Sequence, residues 1–333
     1  MKLAVLSFTD RGQALAQELS AALGGTAWRC NAPLNLRDWT SQRFQDSEAL
    51  VYVGAAGIAV RAIAPHLESK TRDPAVVAVD EGGNYAIPLA SGHLGGANDL
   101  ARQIARACGG VAAITTATDV NGVFSVDAWA RHQNCQVCNP EGIKSIASKC
   151  LAGETVSLSS DWPVRGVPPE GVCLTEAADA MVRVTLRRED RQTVLRLVPR
   201  ILVLGVGCRR GTTTAVLERA LASFLEVRGM EPQGIYAAAS IDLKQDEGGL
   251  VEFCARHGWP LETFSAQGLR AVAGDFTASP FVQQVTGVDN VCERSAVLAS
   301  GGTLVEKKYT SEGVTLALAA RPYTPDWRWI DES

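Results

Sequence analysis

Short apolar runs alternate with longer amphipathic runs at both ends of this 333-residue chain. Near the start, residues 2–8 and 49–53 have the pattern of buried strands, and residues 10–23 repeat leucine every four positions, as one face of a helix does. Strands that alternate with helices favour a mostly parallel sheet. The sequence therefore predicts an α/β fold, whose ligands are expected at the carboxyl ends of the strands.

The length of the chain and a change of pattern predict a multi-domain protein. A chain of 333 residues is long for one hydrophobic core. We predict an N-terminal α/β domain over residues 1–120 and a C-terminal α/β domain over residues 200–333, both with mostly parallel or mixed sheets. Residues 121–199 have scattered prolines and weak periodicity, which predicts a small α+β middle module. Within it, residues 181–186 and 194–198 predict a charged hairpin.

Composition excludes several classes of function. The net charge of −4 argues against general nucleic-acid binding. A chain with this net charge can still have a local basic patch that faces an acidic small molecule. No apolar run approaches the roughly 20 residues of a membrane helix, and the first residues do not resemble a signal peptide. We therefore expect a cytoplasmic protein with no membrane partner. Its nine cysteines are scattered through apolar patterns, which predicts reduced thiols.

The run ILVLGVGCRRGTTT, residues 201–214, predicts a strand, a glycine-rich turn and the start of a helix. A nicotinamide dinucleotide or S-adenosylmethionine site is one interpretation, but the dinucleotide pattern needs two residues before its third glycine and this turn has three. The two arginines favour a carboxylate instead. A purely structural turn remains an alternative. The residues predicted to bind here are Gly205, Gly207, Arg209, Arg210, Gly211 and Thr212.

A second glycine-rich run, SGHLGGAN at residues 91–98, places His93 before a helix. An accessible imidazole is a candidate general base, and backbone N–H groups near it are candidate oxyanion donors. His93 could also simply satisfy a loop carbonyl. Asp80 and Glu81 follow the preceding strand and are candidates to orient His93 or to act as acid and base, unless they are only solvated. The other residues predicted to bind substrate in this domain are Gly54, Gly57, Lys70, Arg72, Gly92, Gly95, Gly96 and Asn98.

The spacing of His132, Cys135, Cys138 and Cys150 permits a zinc site. A Cys-x-x-Cys pair supplies half of a common zinc site, but no second pair follows it. We therefore predict that the chain has no metal site of its own.

Five separated motifs resemble the CbiG family of anaerobic cobalamin biosynthesis. They are the run VGAAGIAVRAIAPHLESKTRDPAVVAVDEGGNYAIPLASGHLGGANDLARQIA at residues 53–105, ILVLGVGCRRGT at 201–212, SIDLKQDEGGL at 240–250, ASPFVQQVTGVDNVCERSAVL at 278–298 and LVEKKY at 304–309. The C-terminal motifs also resemble the stand-alone CobE protein. The motifs cover the first and last predicted domains, in the order in which the family has them.

The resemblance implies a hydrolase that opens the δ-lactone of cobalt-precorrin-5A and releases C20 with its methyl group as acetaldehyde. Its cobalt would arrive with the substrate, so that the protein needs no cofactor. The corrinoid substrate has a rim of acetate and propionate groups, which arginine and lysine side chains bind well. We predict that Arg209, Arg210, Lys244 and Lys307 form a clamp around this rim. In the mechanism we expect, His93 assisted by Asp80 or Glu81 activates water, and N–H groups near Gly95 and Gly96 hold the oxyanion.

The partners implied are a cobalt-corrinoid substrate, transient contacts with neighbouring pathway methyltransferases and a second copy in a homodimer. A non-catalytic carrier of corrinoid intermediates is the alternative function. The cofactor-dependent enzymes considered for the turn at Gly205 are a third possibility.

Overall fold

Three β-sheets, each flanked by helices, make up the structure, a computed structural model that describes residues 2–69, 72–177, 179–188 and 194–329. Each sheet contains both parallel and antiparallel pairs. The α/β multi-domain class predicted from the sequence is confirmed. Within the part of the chain that the structure describes, no helix is both long enough and apolar enough to cross a membrane.

The first sheet has six strands and is covered by helices on both faces. Its central strands are fully buried, because nearly every residue in them is apolar. The elements in chain order are β1 Leu3–Ser7, α1 Asp10–Leu23, β2 Gly25–Arg29, α2 Leu36–Asp46, β3 Ala49–Val53, α3 Ala56–Ile63, a 3₁₀ turn Ala64–His66, β4 Ala75–Val79, β5 Tyr85–Ala90, α4 Ala97–Cys108 and β6 Val111–Ala112.

The direction of the chain reverses at β5. Strands β1 to β4 are parallel, and β5 pairs antiparallel with β4. The connection, residues 80–84, is too short for the crossover that a parallel strand requires. Residues 80–84 therefore lie at the carboxyl edge of the parallel strands, whereas residues 91–96 lie at the opposite edge, about 20 Å away along a strand of this length. The expectation that these two loops form one site is wrong.

The middle sheet has the strand order β7-β11-β10-β8-β9. Its strands β10 and β11 are parallel neighbours, so the charged hairpin predicted for residues 181–186 and 194–198 is wrong. Only β7 runs antiparallel to its neighbour. The elements are α5 Ala117–Val120, α6 Val126–His132, β7 Cys135–Val137, α7 Gly142–Leu151, β8 Val156–Ser160, β9 Val172–Leu174, β10 Val182–Val184 and β11 Leu195–Pro199.

The last sheet has the strand order β14-β13-β12-β16-β15, with three parallel strands followed by an antiparallel hairpin. Its apolar core lies between the sheet and helices α8 and α9. The elements are β12 Leu202–Cys208, α8 Thr214–Arg228, a 3₁₀ turn Pro232–Gly234, β13 Ile235–Ile241, a 3₁₀ turn Asp242–Lys244, α9 Gly248–His257, β14 Leu261–Phe264, α10 Ala266–Ala271, α11 Pro280–Thr286, α12 Cys292–Ser300, β15 Thr303–Ser311 and β16 Val314–Ala320.

The residues after β16 return to the middle sheet. Trp327 stacks on Trp129 of α6 with ring centroids 5.7 Å apart, and the Trp129 indole N–H donates to the Asp326 carbonyl at 2.6 Å. Leu94, beside His93, packs against the same apolar cluster. This cluster therefore joins the end of the chain, the middle sheet and the loop that carries His93.

Candidate functional site

His93 lies between two carboxylates. Its Nε2 is 2.6 Å from Asp119 Oδ2, and its Nδ1 is 3.2 Å from Asp127 Oδ1. The Ser125 hydroxyl is 3.3 Å from the same Nδ1. Asp119 belongs to α5 and Asp127 to α6, and the His93 side chain is only 13% exposed. The imidazole thus connects the loop after β5 to two helices that follow the first sheet.

Asp119 extends these contacts to α4. Its carboxylate also accepts hydrogen bonds from Asn98 and Thr116, at 3.1 and 2.5 Å, and from Arg102. Arg102 donates in addition to Asp99 at 2.9 Å. Asn98, which was predicted to bind substrate, is 3% exposed and has its amide committed to this contact.

Asp99 completes the connection to α6, because it contacts Arg131 and lies 3.0 Å from His132 Nε2. We call the whole set the interface network. Its members are His93, Asn98, Asp99, Arg102, Thr116, Asp119, Asp127, Arg131 and His132.

The interface network favours the charged form of His93. Burial lowers the pKa of His93, but the hydrogen bonds and charges of Asp119 and Asp127 outweigh it and raise that pKa to about 9. Burial would raise the pKa of each of these two carboxyls, yet contact with His93 holds both below their usual range. The pKa of Asp99 is also lowered, against burial, by contacts with His132, Arg131 and Arg102.

An imidazolium at neutral pH cannot accept a proton, so the geometry opposes the role of general base that the sequence suggested for His93. Charge balance supports the same conclusion. Within the interface network the guanidinium groups of Arg102 and Arg131 pair with Asp99 and Asp119, whereas Asp127 pairs with His93. A protonated His93 supplies the third positive charge.

Asp80 and Glu81 are not the carboxylates that contact His93, and the predicted pairing is corrected. Asp80 accepts hydrogen bonds from the backbone N–H groups of Gly82 and Tyr85 and from the Asn84 amide. Burial would raise the Asp80 pKa, but these bonds hold it below its usual range. Glu81 accepts from the Thr9 hydroxyl at 2.6 Å. Asp80 stabilises the turn between β4 and β5, because a five-residue reversal leaves backbone donors to be satisfied. Glu81 links this turn to Thr9, the N-cap residue of α1.

The glycines of the His93 loop are required by close packing. A Cβ atom at Gly92 would lie 2.9 Å from Asn98 Oδ1, and one at Gly95 would lie 2.3 Å from the Ser91 Cβ. At Gly96, φ is +86° and a Cβ would meet the Arg131 guanidinium at 2.4 Å. The Gly96 N–H already donates to the His93 carbonyl at 3.0 Å. This donor is therefore not free for the oxyanion role predicted for it.

The remaining predicted residues of the first domain lie at both edges of its sheet. A Cβ at Gly54, which follows β3, would meet the Phe8 ring at 2.7 Å. Gly57 is exposed, and a Cβ there would make only an ordinary contact with the Arg61 guanidinium at 3.9 Å. Arg72 is exposed and precedes β4, at the edge where the His93 loop lies. Lys70 lies outside the described residues.

A separate group of predicted residues meets at the carboxyl edge of the last sheet. Within β12, a Cβ at Gly205 would overlap the Cys292 carbonyl of α12 and one at Gly207 would meet Thr315, so both glycines serve packing. Gly211 has φ +76° and open space around it. Arg209 and Arg210 precede it and are both exposed.

Glu247 connects the turn at Gly211 to the loop after β13. One Glu247 oxygen accepts the Gly211 N–H at 2.7 Å, and the other lies 2.9 Å from Lys244 Nζ. The hydrogen bond from Lys244 lowers the pKa of Glu247 most strongly, and the charge of Arg210 also lowers it. Thr212 closes the turn by donating its hydroxyl to the Arg209 carbonyl. The turn therefore does bind a carboxylate, which belongs to the protein itself.

Lys307 lies on β15 and pairs with Asp275 at 2.9 Å, with 58% of its side chain exposed. The structure provides no contact that links Lys307 to Arg209, Arg210 or Lys244 among the described residues. Its place in the predicted clamp stays a prediction.

All nine cysteines are free thiols. Burial raises the pKa of Cys135 to about 12 and that of Cys138 to about 11, which keeps both protonated. Among the residues that the structure describes, no group of three or more His, Cys, Asp or Glu side chains is arranged to hold a metal ion.

Sequence reasoning missed Asp119, Asp127 and Glu247. A usable signal existed for Asp119, since it follows the last strand of the first sheet in the polar run TTATD. Glu247 lies in the quoted motif SIDLKQDEGGL, but its contact with Gly211 joins residues 36 positions apart. Side-chain contacts at that separation leave no local pattern.

Comparison with known proteins gives two family matches. The family model described as "Cobalamin synthesis G N-terminal" matches residues 38–119, and "Cobalamin synthesis G C-terminus" matches residues 202–319. The two matches contain the glycine-rich run around His93 and the glycine-rich turn at Gly211.

Two relatives cover most of the chain, and a third covers about a third of it. The cobalt-precorrin-5A hydrolase of Salmonella typhimurium is 34% identical over 95% of this chain and 97% of its own length. The cobalt-precorrin-5A hydrolase of Priestia megaterium is 30% identical over 84% of this chain and 80% of its own length. Protein CobE of a Sinorhizobium species is 32% identical over 35% of this chain and 79% of its own length.

Proposed function

Because the chain belongs to the CbiG family of cobalamin-synthesis proteins, we propose that it is a cobalt-precorrin-5A hydrolase. The observation that carries the proposal is the 34% identity with a relative of that name over 95% of this chain. A match of this extent includes the first domain, the middle sheet and the last domain together.

In the proposed reaction, water opens the δ-lactone of cobalt-precorrin-5A, and C20 leaves with its methyl group as acetaldehyde to give cobalt-precorrin-5B. The cobalt belongs to the substrate, and the protein supplies binding groups and proton transfer without a cofactor of its own. The location in the cytoplasm stays a prediction from the composition of the chain, and the homodimer and the transient contacts with methyltransferases also stay predictions.

The carboxyl edge of the last sheet suits the rim of the substrate. Exposed Arg209 and Arg210 present two guanidinium groups beside the turn at Gly211. Guanidinium groups bind carboxylates in a bidentate geometry, and a corrinoid precursor carries several acetate and propionate carboxylates. We propose that these two arginines hold one side of that rim, with Lys244 nearby.

His93 enters the proposed mechanism as a proton donor. Its pKa of about 9 means that it carries a proton at neutral pH. The contacts at Nδ1, 3.2 Å to Asp127 and 3.3 Å to Ser125, are longer than the 2.6 Å contact at Nε2. The Nδ1 proton is therefore the more readily transferred. The alkoxide released when the lactone opens forms the C=O bond of acetaldehyde as the bond between C20 and the macrocycle breaks. We propose that the Nδ1 proton goes to the macrocycle carbon that keeps the electron pair of that bond, and that His93 recovers a proton from the water that becomes part of the new carboxyl group.

The experiment that tests the function is incubation of the purified protein with cobalt-precorrin-5A, with acetaldehyde measured over time. We expect acetaldehyde release without added nicotinamide dinucleotide or S-adenosylmethionine. Binding of the corrinoid with no acetaldehyde would instead identify a carrier protein. A requirement for either cofactor would support the cofactor-dependent interpretation of the turn at Gly205.

A further inference from the structure

Glu247 occupies the position that a bound carboxylate would take at the edge of the last sheet. Its two oxygens use the Gly211 N–H and the Lys244 ammonium, at 2.7 and 2.9 Å. The side chains of Lys244 and Glu247 are only 14% and 10% exposed, so this pair is shielded, whereas Arg210 beside it is exposed. One backbone donor and one ammonium group are the partners expected for a carboxylate ligand.

The two loops do not depend on Glu247 to stay together. A Cβ atom at Gly249 would lie 2.1 Å from the Thr212 carbonyl, so α9 and the turn are already in close contact. The Thr214 hydroxyl also contacts α9, through the Gly249 carbonyl at 3.1 Å and Glu252 at 2.9 Å. Removal of the Glu247 carboxylate would therefore leave the loops in place and their two donors free.

We propose that Glu247 is an internal competitor, which a substrate carboxylate displaces from Gly211 and Lys244 when the corrinoid binds. The proposal rests on the proposed function, because it takes the carboxylate rim of a tetrapyrrole as the ligand. Displacement moves the shielded Glu247 carboxylate into solvent, where water replaces its two donors. While no substrate is present, Glu247 accepts the hydrogen bonds of the Gly211 N–H and the Lys244 ammonium.

The test compares the binding of uroporphyrin, a planar tetrapyrrole with acetate and propionate side chains, to the wild type and to Glu247→Gln, by quenching of its fluorescence. A competitor that occupies the donors most of the time weakens the apparent affinity, so its loss should strengthen binding by about tenfold. Glu252→Gln is the matched control, since this carboxylate on the same helix contacts Thr214 and Arg256 and not the turn. We expect the control to bind as the wild type does.

Equal or weaker binding by every Glu247 variant that keeps its fold overturns the proposal, and so does the absence of uroporphyrin binding by the wild type and Glu247→Gln alike. A variant that lost its fold would bind weakly for another reason. Glu247→Ala and a urea unfolding curve for each variant therefore accompany the titration, and tighter binding by either folded variant supports displacement. Acetaldehyde release by the wild type is measured separately. Its failure would reject the hydrolase and leave the binding result standing, whereas acetaldehyde release with unchanged binding would reject the competitor alone.

Discussion

The two glycine-rich segments of this protein look alike in sequence and differ in structure. The His93 loop is closed, because Asn98, Ser91 and Arg131 fill the space beside its glycines. The turn at Gly211 is open, and exposed arginines precede it. The first segment joins parts of the protein through the interface network, whereas we propose that the second binds the substrate.

A glycine-rich pattern alone does not show why each glycine is needed, because the reason lies in the atoms that surround it. Gly96 is needed both for φ +86° and for the approach of the Arg131 guanidinium. Gly211 is needed for φ +76° alone, and Gly57 shows neither requirement. Of the glycines predicted to bind substrate, only Gly57 and Gly211 leave room for a ligand beside the backbone.

The largest expected effect comes from Asp119→Asn, which would break the interface network. This change leaves the charges of His93 and Arg102 without their shared carboxylate in a shielded position. Loss of one member of a buried ion network costs about 3–5 kcal/mol, and we expect a loss of this size in urea unfolding. Asp275→Asn removes an exposed carboxylate paired with Lys307 and should barely change the unfolding midpoint. Equal effects of the two changes would contradict the distinction between network and surface.

The second effect is a dependence of stability on pH. Since the folded-state pKa of His93 is raised from 6.5 to about 9, its contribution is full below pH 6.5 and is lost as the pH rises through 9. The expected loss of unfolding free energy between pH 6 and pH 10 is about 3 kcal/mol. The lowered pKa values of Asp119 and Asp127 act in the other direction, with stability lost only as the pH falls through their acid range.

His93→Gln is the control for this pH dependence. Its unfolding free energy should be lower than that of the wild type at pH 6 and should lack most of the decline toward pH 10. A wild-type decline that persists in His93→Gln would assign the alkaline transition to other groups.

The open turn should behave in the opposite way when Arg209 and Arg210 are both changed to alanine. We expect corrinoid affinity to fall about 10- to 100-fold, since each lost guanidinium removes a charge-assisted contact. The unfolding free energy should stay near that of the wild type, because both side chains are exposed. Unchanged affinity in isothermal titration calorimetry would contradict the proposal that these two arginines hold the rim of the corrinoid.

The smallest expected effects are those of two glycine substitutions, one at a closely packed position and one at an exposed position. Gly96→Ala should destabilise the protein by about 1–2 kcal/mol, because alanine is strained at positive φ and Arg131 has to move. Gly57→Ala should change stability by only a few tenths of a kcal/mol, since its Cβ would make only an ordinary van der Waals contact with Arg61. If Gly57 lies against the substrate, this variant loses affinity and not stability. Thermal unfolding and uroporphyrin titration of both variants make the comparison.

Much of the fold could be predicted from periodicity. The bounds of β3 agree with the strand predicted at residues 49–53, because this strand is a short block of consecutive apolar residues. Strand β2 and helix α2 were missed, since Gly25–Arg29 is only partly buried and α2 has only two buried residues. The strand directions at β5 and β11 were misjudged, although the five-residue connection before β5 already required a reversal.

The candidate site could be predicted only in part. The sequence singled out His93 and the arginine turn, because glycine, histidine and arginine form visible local patterns. The partners of His93 are 26 and 34 residues away and belong to helices with no motif of their own. Its charge state depends on those partners, so the sequence alone suggested a base, whereas the raised pKa of His93 in the structure favours the protonated ring.

The protonation state of the His93 ring is the most direct test of the claim that the interface network holds this residue in its charged form. In a ¹⁵N-labelled protein with four histidines, the ring signals of His93 can be assigned by comparison with His93→Gln. We predict that both ring nitrogens carry protons at pH 7.5 and that the ring titrates near pH 9. A neutral His93 ring at pH 7.5, with a titration below pH 7, would contradict the charged interface network and restore the general base.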